Sequence, residues 1–437
     1  MRDKIDSSPS RIGLLEIEDE STNYTNSFSK KRLSVITNLC KFVKLMDKRD
    51  YHMQTDKLNT WVEISETAYA NNLSFFKRRI PPSTEFSVVI KSNAYGHGIR
   101  EIAGLAAKYG VDSFCVHSLD EALLLRDAGF RHDILIMGHV PLKRLEEAIA
   151  DQFRLVLYNR ESLEALDRQT RLLHHAVRVH LKLETGNNRQ GITENELPWF
   201  LERLHQTPLV KLEAVYTHFA TADEPENSDY ARFQLERFLQ MYAFIRHTGF
   251  PTVKKHAANS AAILLMPRAH LDMVRLGISQ YGFWPSDEVK DFFSRQHPGD
   301  EENMLTPVLQ WKTRISQIKT VPENGFIGYG CTYRTTRNSR IAVLPIGYSD
   351  GYDRLLSNKG YVLIHGRRAP VRGRVCMNLT MVDVTDIPEG QLEDEVVLIG
   401  SQGNEEVSAD FLAGLIGTIN YEIVTRINWQ IPRLIVK

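Results

Sequence analysis

From Trp61 onward the chain alternates between short β-branched runs and stretches whose apolar residues recur at every third and fourth position. SVVIK, SFCVH, ILIMG, RLVLY, VRVHLKLE and LEAVYTH are the runs; between and after them come IREIAGLAAKYG, DEALLLRDAGF, KRLEEAIADQ, ESLEALDRQTRL, ENELPWFLERLHQ and ARFQLERFLQMYAFIRHTGF. Parallel strands need long crossovers, and a helix is the usual one, so this rhythm predicts an α/β fold. It repeats about eight times before position 300, a count that favours a (β/α)8 barrel over an open doubly wound sheet. No glycine-rich dinucleotide fingerprint follows the first strand, which also disfavours the open sheet.

After the acidic, polar HPGDEEN (residues 297–303) the rhythm changes. QWKTRISQIKTV, SRIAVLPIG, GYVLIHGRRAPVRGRVCM, TMVDVT and DEVVLIG alternate between Gly, Pro, Asp and Asn turns, predicting a mostly β second domain with one helix from about Ser408. A chain of 437 residues is in any case too long for one small core. The expected division is a barrel over residues 53–300 and a β domain over 301–437, preceded by residues 1–52, which are rich in Ser, Asn, Lys and Asp. That leading stretch carries one short amphipathic candidate and reads as a disordered extension or as sequence upstream of a true start at Met53.

Charge narrows the function. With 54 basic and 54 acidic side chains the chain lacks the broad positive field that nucleic acid or an anionic membrane requires, so a small molecule is the expected partner. Cys40, Cys115, Cys331 and Cys376 show no paired close spacing, which predicts free thiols, a reducing cytoplasm and no metal site. No apolar run reaches the ~18–20 residues of a membrane helix, and no secretory signal pattern opens the chain.

In a barrel, chemistry gathers where side chains leave the carboxyl ends of the strands. Lys91 ends FSVVIK, Lys182 and Glu184 end VRVHLKLE, His218 ends LEAVYTH, Asn259 and Ser260 follow VKKHAA, and Arg275 ends DMVR. One strand-end Lys or His means little; five converging strands mean more. In KSNAYGHG (residues 91–98) a lysine precedes Tyr95 and a Gly-His-Gly turn. A desolvated lysine there loses its proton readily and attacks carbonyls, whereas the glycines also suit a plain turn; locally both readings stand.

VVIKSNAYGHG resembles the cofactor-lysine signature of the alanine racemases. THFATADE (217–224), HAANSAA (256–262), VRLGISQYG (274–282), GYGCTY (328–333), IGYSDGY (346–352), GRVCMN (373–378) and GTINYEI (417–423) are similar to that family's other blocks, in order, over about residues 60–437. The resemblance implies a racemase that interconverts L-alanine and D-alanine, supplying D-alanine for peptidoglycan. It implies pyridoxal 5'-phosphate carried by Lys91 as an imine, which the amino acid displaces to form an external aldimine. Racemisation moves a proton between the two faces of a planar carbanion, and Lys91 and Tyr329 match the family's two bases, acting on the D- and L-enantiomers respectively. Tyrosine ionises near pH 10, so Tyr329 needs a polar neighbour, and His218 hydrogen-bonded to Arg275 resembles the pair that provides it. Arg275 also matches the residue facing the pyridine nitrogen, where an arginine leaves that nitrogen unprotonated and disfavours transamination.

By the same resemblance Tyr95, Asn259, Ser260, Gly277, Ile278 and Tyr421 hold the cofactor, with Ser260 as a helix N-cap the rival reading for that hydroxyl. Arg189 and the Met377 backbone contact the substrate carboxylate, and Lys182 matches a lysine often carried as a carbamate beside Arg189. Asp223, Tyr348, Arg354 and Arg374 resemble the substrate-entry corridor. The family shares its sites across a homodimer, Tyr329 and Met377 reaching the partner's Lys91. Glu184, Asn187, Gln190 and Asn378 depart from the usual Asp, Met, Leu and Asp; the polar Asn187 suggests tolerance of serine, and the bulk of Tyr421 opposes it. A pyridoxal-phosphate carrier would need no β domain or Tyr329, and a barrel decarboxylase would place an acid, not Arg275, at the ring nitrogen.

Overall fold

The computed structural model describes residues 55–298 and 304–437. The readings made for residues 1–52 lie outside them. Eight parallel strands close into a barrel: Glu85–Val89, Ser113–Val116, Asp133–Ile136, Arg154–Leu157, Val177–Lys182, Val210–Tyr216, Lys254–His256 and Met273–Leu276, the last pairing with the first. Some of the helices between them start where the sequence supplies a side-chain cap. Ser118 and Glu121 form a reciprocal capping box before Leu119–Asp127, and Asn159 caps Arg160–Leu173. Outward strand residues such as Phe86, Val88, Phe114, Ile134 and Ile136 are sealed under those helices.

The barrel interior is unusually polar. Strand side chains alternate in and out, and a barrel of this size normally fills its inside with Val, Ile and Leu. Here the amino-terminal ends of the strands present Glu85, Asp133 and Arg154, whose guanidinium lies 2.7 Å from Glu85 and 2.9 Å from Asp133. One layer further in come His180 and His256, at 1% and 0% exposure. Buried charges and imidazoles are tolerated only where they are paired, and these are.

The second domain is built on a sheet ordered Arg367–Pro370, Tyr361–Ile364, Glu395–Gln402, Leu309–Arg314, Thr60–Ser65, Arg433–Val436. Thr60–Ser65 thus belongs to this sheet, antiparallel to Leu309–Arg314 and parallel to Arg433–Val436, although it precedes the barrel in sequence. A linear boundary at 53 cannot express this, because strand pairing takes no account of chain order. Gln317–Val321, Ser339–Leu344 and Thr380–Asp383 form a separate sheet. Two helices stand where one was expected: Ala409–Ile416, capped by Ser408 and ended by left-handed Gly417, and Asn420–Thr425. The second packs against the barrel at Gly96, where an added Cβ would lie 1.9 Å from the Val424 carbonyl oxygen.

Candidate active site

The strand Glu85–Val89 stops two residues before Lys91, and residues 92–95 then adopt φ of 53–54°, a left-handed turn without a glycine. Each such residue is strained by about 1–2 kcal/mol, so the turn persists only because its surroundings hold it. The Ser92 N–H donates to Glu121 at 2.5 Å, Asn93 Oδ1 accepts from the Ile99 N–H at 2.9 Å, and Arg433 donates to the Gly96 carbonyl at 2.8 and 3.1 Å. His97 is fully buried and stacked on Tyr281 at 4.2 Å, so it is a packing residue. The turn aims Lys91 and Tyr95 into a cavity at the carboxyl ends of the strands.

That cavity has a volume of about 680 Å³ and gathers residues from distant parts of the chain. Lys91, Tyr95, Lys182, Arg189, His218, Asp223, Asn259, Ser260, Arg275, Gly277, Ile278 and Tyr421 all line it. Its cations Lys91, Lys182, Arg189 and Arg275 face one carboxylate, Asp223. An anionic occupant is what such a site would stabilise. Burial, then the charge of Arg189, pushes Lys91 below the ordinary lysine range. Lys182, depressed by burial and by Arg189 and Arg275, falls to about 8, and its ammonium donates to Gln190 Oε1 at 2.9 Å.

At one end of the cavity Asn259, not Ser260, caps the helix Ser260–Leu265, accepting from the Ala262 N–H at 3.0 Å. The Ser260 hydroxyl is therefore free to accept from the Gly277 N–H at 2.9 Å. A Cβ on Gly277 would sit 3.4 Å from both Ser260 Oγ and Tyr95 Oη, so the glycine keeps this cradle of hydroxyls and backbone N–H groups open. Burial drives the Tyr95 and Tyr421 hydroxyls above the ordinary tyrosine range, which leaves both as donors.

Arg275 is 3% exposed, and its partners differ from those expected. Its Nη1 lies 2.6 Å from Nδ1 of His256, not of His218, and Nη2 donates to the Thr217 and Ala257 carbonyls at 2.9 Å. The reason is strand phase: His256 and Arg275 both point inward on paired neighbouring strands, whereas His218 lies beyond the end of its strand. His218 nevertheless lines the cavity, and burial together with Arg275, Arg189, Lys182 and Lys91 keeps its ring neutral. Asn187, expected near a carboxylate site, does not line the cavity and directs its amide to the His218 and Phe219 carbonyls at 3.3 and 3.4 Å. Sequence reasoning gave no site role to Tyr158, Tyr216 or Gln190 on the cavity wall, or to His256 beneath it. Inward alternation along each strand was the signal for Tyr216 and His256.

Tyr329, Tyr348, Arg354, Arg374 and Met377 do not line this cavity within one chain. Tyr329 is 73% and Met377 57% exposed. Four of them form one surface cluster on the second domain: an added Cβ on Gly330 would lie 3.1 Å from the Arg374 guanidinium, and Tyr348 and Ser349 N–H groups donate to the Cys376 and Met377 carbonyls at 3.0 Å.

Comparison with known proteins decides the family. The alanine racemase N-terminal domain model matches residues 64–285, and the C-terminal domain model matches residues 308–435. The chain belongs to the alanine racemase family. An alanine racemase of Symbiobacterium thermophilum is 42% identical over 375 residues, covering 86% of this chain and 96% of that one. The crystal structure of the Bacillus anthracis alanine racemase with bound L-Ala-P superposes with a TM-score of 0.81 at 37% identity, covering 87% and 95% of the two chains. That of Bartonella henselae, with covalently bound pyridoxal phosphate, has a TM-score of 0.75 at 26% identity and coverage of 87% and 100%. This protein is thus a racemase, an isomerase of a pyridoxal-phosphate-dependent family with the expected barrel and mostly β second domain. No helix among the described residues of this racemase is long and apolar enough to cross a membrane.

Proposed function

We propose that this racemase interconverts L-alanine and D-alanine with pyridoxal 5'-phosphate in the barrel cavity, using Lys91 of one subunit and Tyr329 of a second as its two bases. The observation that carries the reading is the placement of Lys91, buried and beside Arg189, at a cavity whose cations outnumber its single carboxylate. The residues present fit the cofactor: the open cradle at Gly277 suits a phosphate, and a lysine depressed by burial suits a covalent link to a carbonyl. When bound, the cofactor supplies an electron sink that acidifies the Cα–H of a linked amino acid.

The chain's own residues do the rest. Tyr95, Tyr421 and Ser260 hydroxyls and the Gly277 and Ile278 N–H groups would hold the phosphate, with Asn259 fixing the helix start behind them. Arg275, a cation that does not release its proton, would donate to the ring nitrogen without protonating it. Arg189, with the Met377 backbone of a second subunit, would hold the substrate carboxylate. Lys182, at about 8, has the neutral amine that carbamate formation requires, and a carbamate would turn a repelling neighbour of Arg189 into an attracting one. Lys91 then serves one face of the substrate Cα and Tyr329 the other, with neutral His218 available to bond the tyrosine hydroxyl.

Tyr329 cannot serve the cavity of its own chain from an exposed surface, so a homodimer with shared sites completes the reading. Asp223, Tyr348, Arg354 and Arg374 would then flank the entry route. The product D-alanine fits a cytoplasmic role in peptidoglycan synthesis. The test combines two measurements: an absorbance band near the visible edge that borohydride abolishes, and loss of optical rotation from L-alanine. A protein that has the band yet leaves L-alanine optically active refutes the racemase assignment, and one without the band refutes the cofactor.

A further inference from the structure

A chain of hydrogen bonds leaves the cavity floor and runs through the barrel to its opposite end. Arg275 Nη1 lies 2.6 Å from His256 Nδ1, His256 Nε2 lies 3.0 Å from His180 Nδ1, and His180 Nε2 lies 3.1 Å from Glu213 Oε2. Arg154 donates to the other Glu213 oxygen at 3.0 Å. The first three members are at most 3% exposed, so no solvent can substitute for a missing partner.

The proton positions follow from the ends. A guanidinium only donates and an ionised carboxylate only accepts. Arg275 therefore makes His256 Nδ1 an acceptor, which puts that ring's proton on Nε2. His180 Nδ1 must accept this proton, so its own lies on Nε2 and goes to Glu213. Every link is satisfied in one tautomeric state and in no other with neutral rings. Burial keeps both rings neutral: it lowers His180, and it lowers His256 further with the help of Arg275. Although burial opposes its ionisation, His180 and Arg154 hold the Glu213 carboxyl down at about 2, so it remains the acceptor at the end of the chain.

The fold makes a local exception to place Glu213 there. Pairing passes from Val179 with Leu212 directly to His180 with Ala214, so Glu213 is the extra residue of a β-bulge. A bulge re-aims one side chain, and here it brings the carboxylate against His180. His256 is pinned independently by Tyr216, whose ring stacks on it at 4.7 Å with planes 7° apart.

We propose that Glu213 is a positioning residue for the cavity: through the fixed tautomers of His180 and His256 it holds Arg275 in place as a charged donor. Without an acceptor at 213, His180 is free to carry its proton on Nδ1. His256 then carries its own on Nδ1, facing the guanidinium donor to donor, and Arg275 is pushed from its place. The proposal rests on the cofactor reading only for what Arg275 faces.

The test uses the full-length holoenzyme and two variants, Glu213→Gln and His180→Phe, the second leaving the Glu213–Arg154 pair intact. Histidine-ring 15N shifts of the wild type should report both rings neutral with the proton on Nε2. In Glu213→Gln, with the amide oxygen held by Arg154 and the NH2 turned to His180, both rings should lose their single tautomer; in His180→Phe the His256 Nε2–H is left without its acceptor and its 15N shift should move. The absorption band of bound pyridoxal phosphate should move, and kcat should fall roughly tenfold or more with KM for alanine within about twofold. A wild-type His256 ring that is charged or protonated on Nδ1 overturns the proposal. So do variants that keep the wild-type band and kcat, whatever their melting temperature. If the protein binds no cofactor, the ring shifts still decide the hydrogen-bond chain, so its failure is distinct from failure of the racemase reading.

Discussion

Replacing Gly96 by alanine should damage two properties through one contact. Gly96 has φ of +86°, and an added Cβ would lie 1.9 Å from the Val424 carbonyl oxygen and 2.8 Å from its carbon. A Cβ essentially never comes within 3.0 Å of such atoms, so Asn420–Thr425 must retreat by about 1 Å, being backbone that cannot swing aside. Overpacking of this kind costs about 1–3 kcal/mol and the left-handed conformation about 1 more, giving a loss of roughly 2–4 kcal/mol and, for a chain of 437 residues, a melting point lower by roughly 2–4 °C. The same helix carries Tyr421, whose hydroxyl would leave the phosphate cradle. A hydrogen bond to a charged group contributes about 1.5–3 kcal/mol, so the Kd for pyridoxal phosphate should rise about 10- to 100-fold. Thermal unfolding without added cofactor and a fluorescence titration with it measure the two effects. Tyr421→Phe is the control: it should reproduce the loss of affinity with little loss of stability. A Gly96→Ala protein with wild-type melting temperature and wild-type affinity would refute the contact; one that melts early but binds normally would refute the role of Tyr421.

Further outcomes follow from the same geometry. Mixing inactive Lys91→Ala with inactive Tyr329→Phe should restore activity through hybrid dimers, and no recovery despite demonstrated subunit exchange would count against shared sites. Ser260→Ala should weaken phosphate binding about tenfold while leaving stability nearly unchanged, whereas Asn259→Ala should cost about 1 kcal/mol of stability by uncapping the helix; melting curves and cofactor titrations separate the two. With Lys182 at about 8 rather than the usual 10.5, roughly a tenth of its amine is neutral at pH 7, so the mass of one added carbon dioxide should be found on Lys182 and should increase as pH rises through 8. The sign for stability is the same: the unfolded chain binds more protons at this group between about 8 and 10.5, so its unfavourable contribution is full below 8 and fades across that window, and Lys182→Met should stabilise the unmodified protein most at neutral pH. Because Asn187 directs its amide to backbone carbonyls away from the cavity, L-serine should be a much poorer substrate than L-alanine in steady-state comparison.

Much was legible along the chain itself. Strand alternation and helical spacing are local and periodic, so the eightfold βα rhythm pointed to a barrel, and the resemblance carried by the ordered blocks pointed to the family and to twelve of the twenty residues on the cavity wall. Tertiary structure alone decided which residues meet. Thr60–Ser65 joined the second domain's sheet because strands pair by geometry, not by chain order. Arg275 took His256 as its partner because both point inward on adjacent strands, a matter of phase across the barrel that no single segment encodes. Glu213 reached His180 only because one strand bulges against its neighbour, and a bulge exists only in a pair. Tyr329, pointed out by the blocks as a base, stands exposed on the second domain. Its sequence carries no signal of where a second copy of the chain would bring it, since that depends on a surface formed only after both domains have folded.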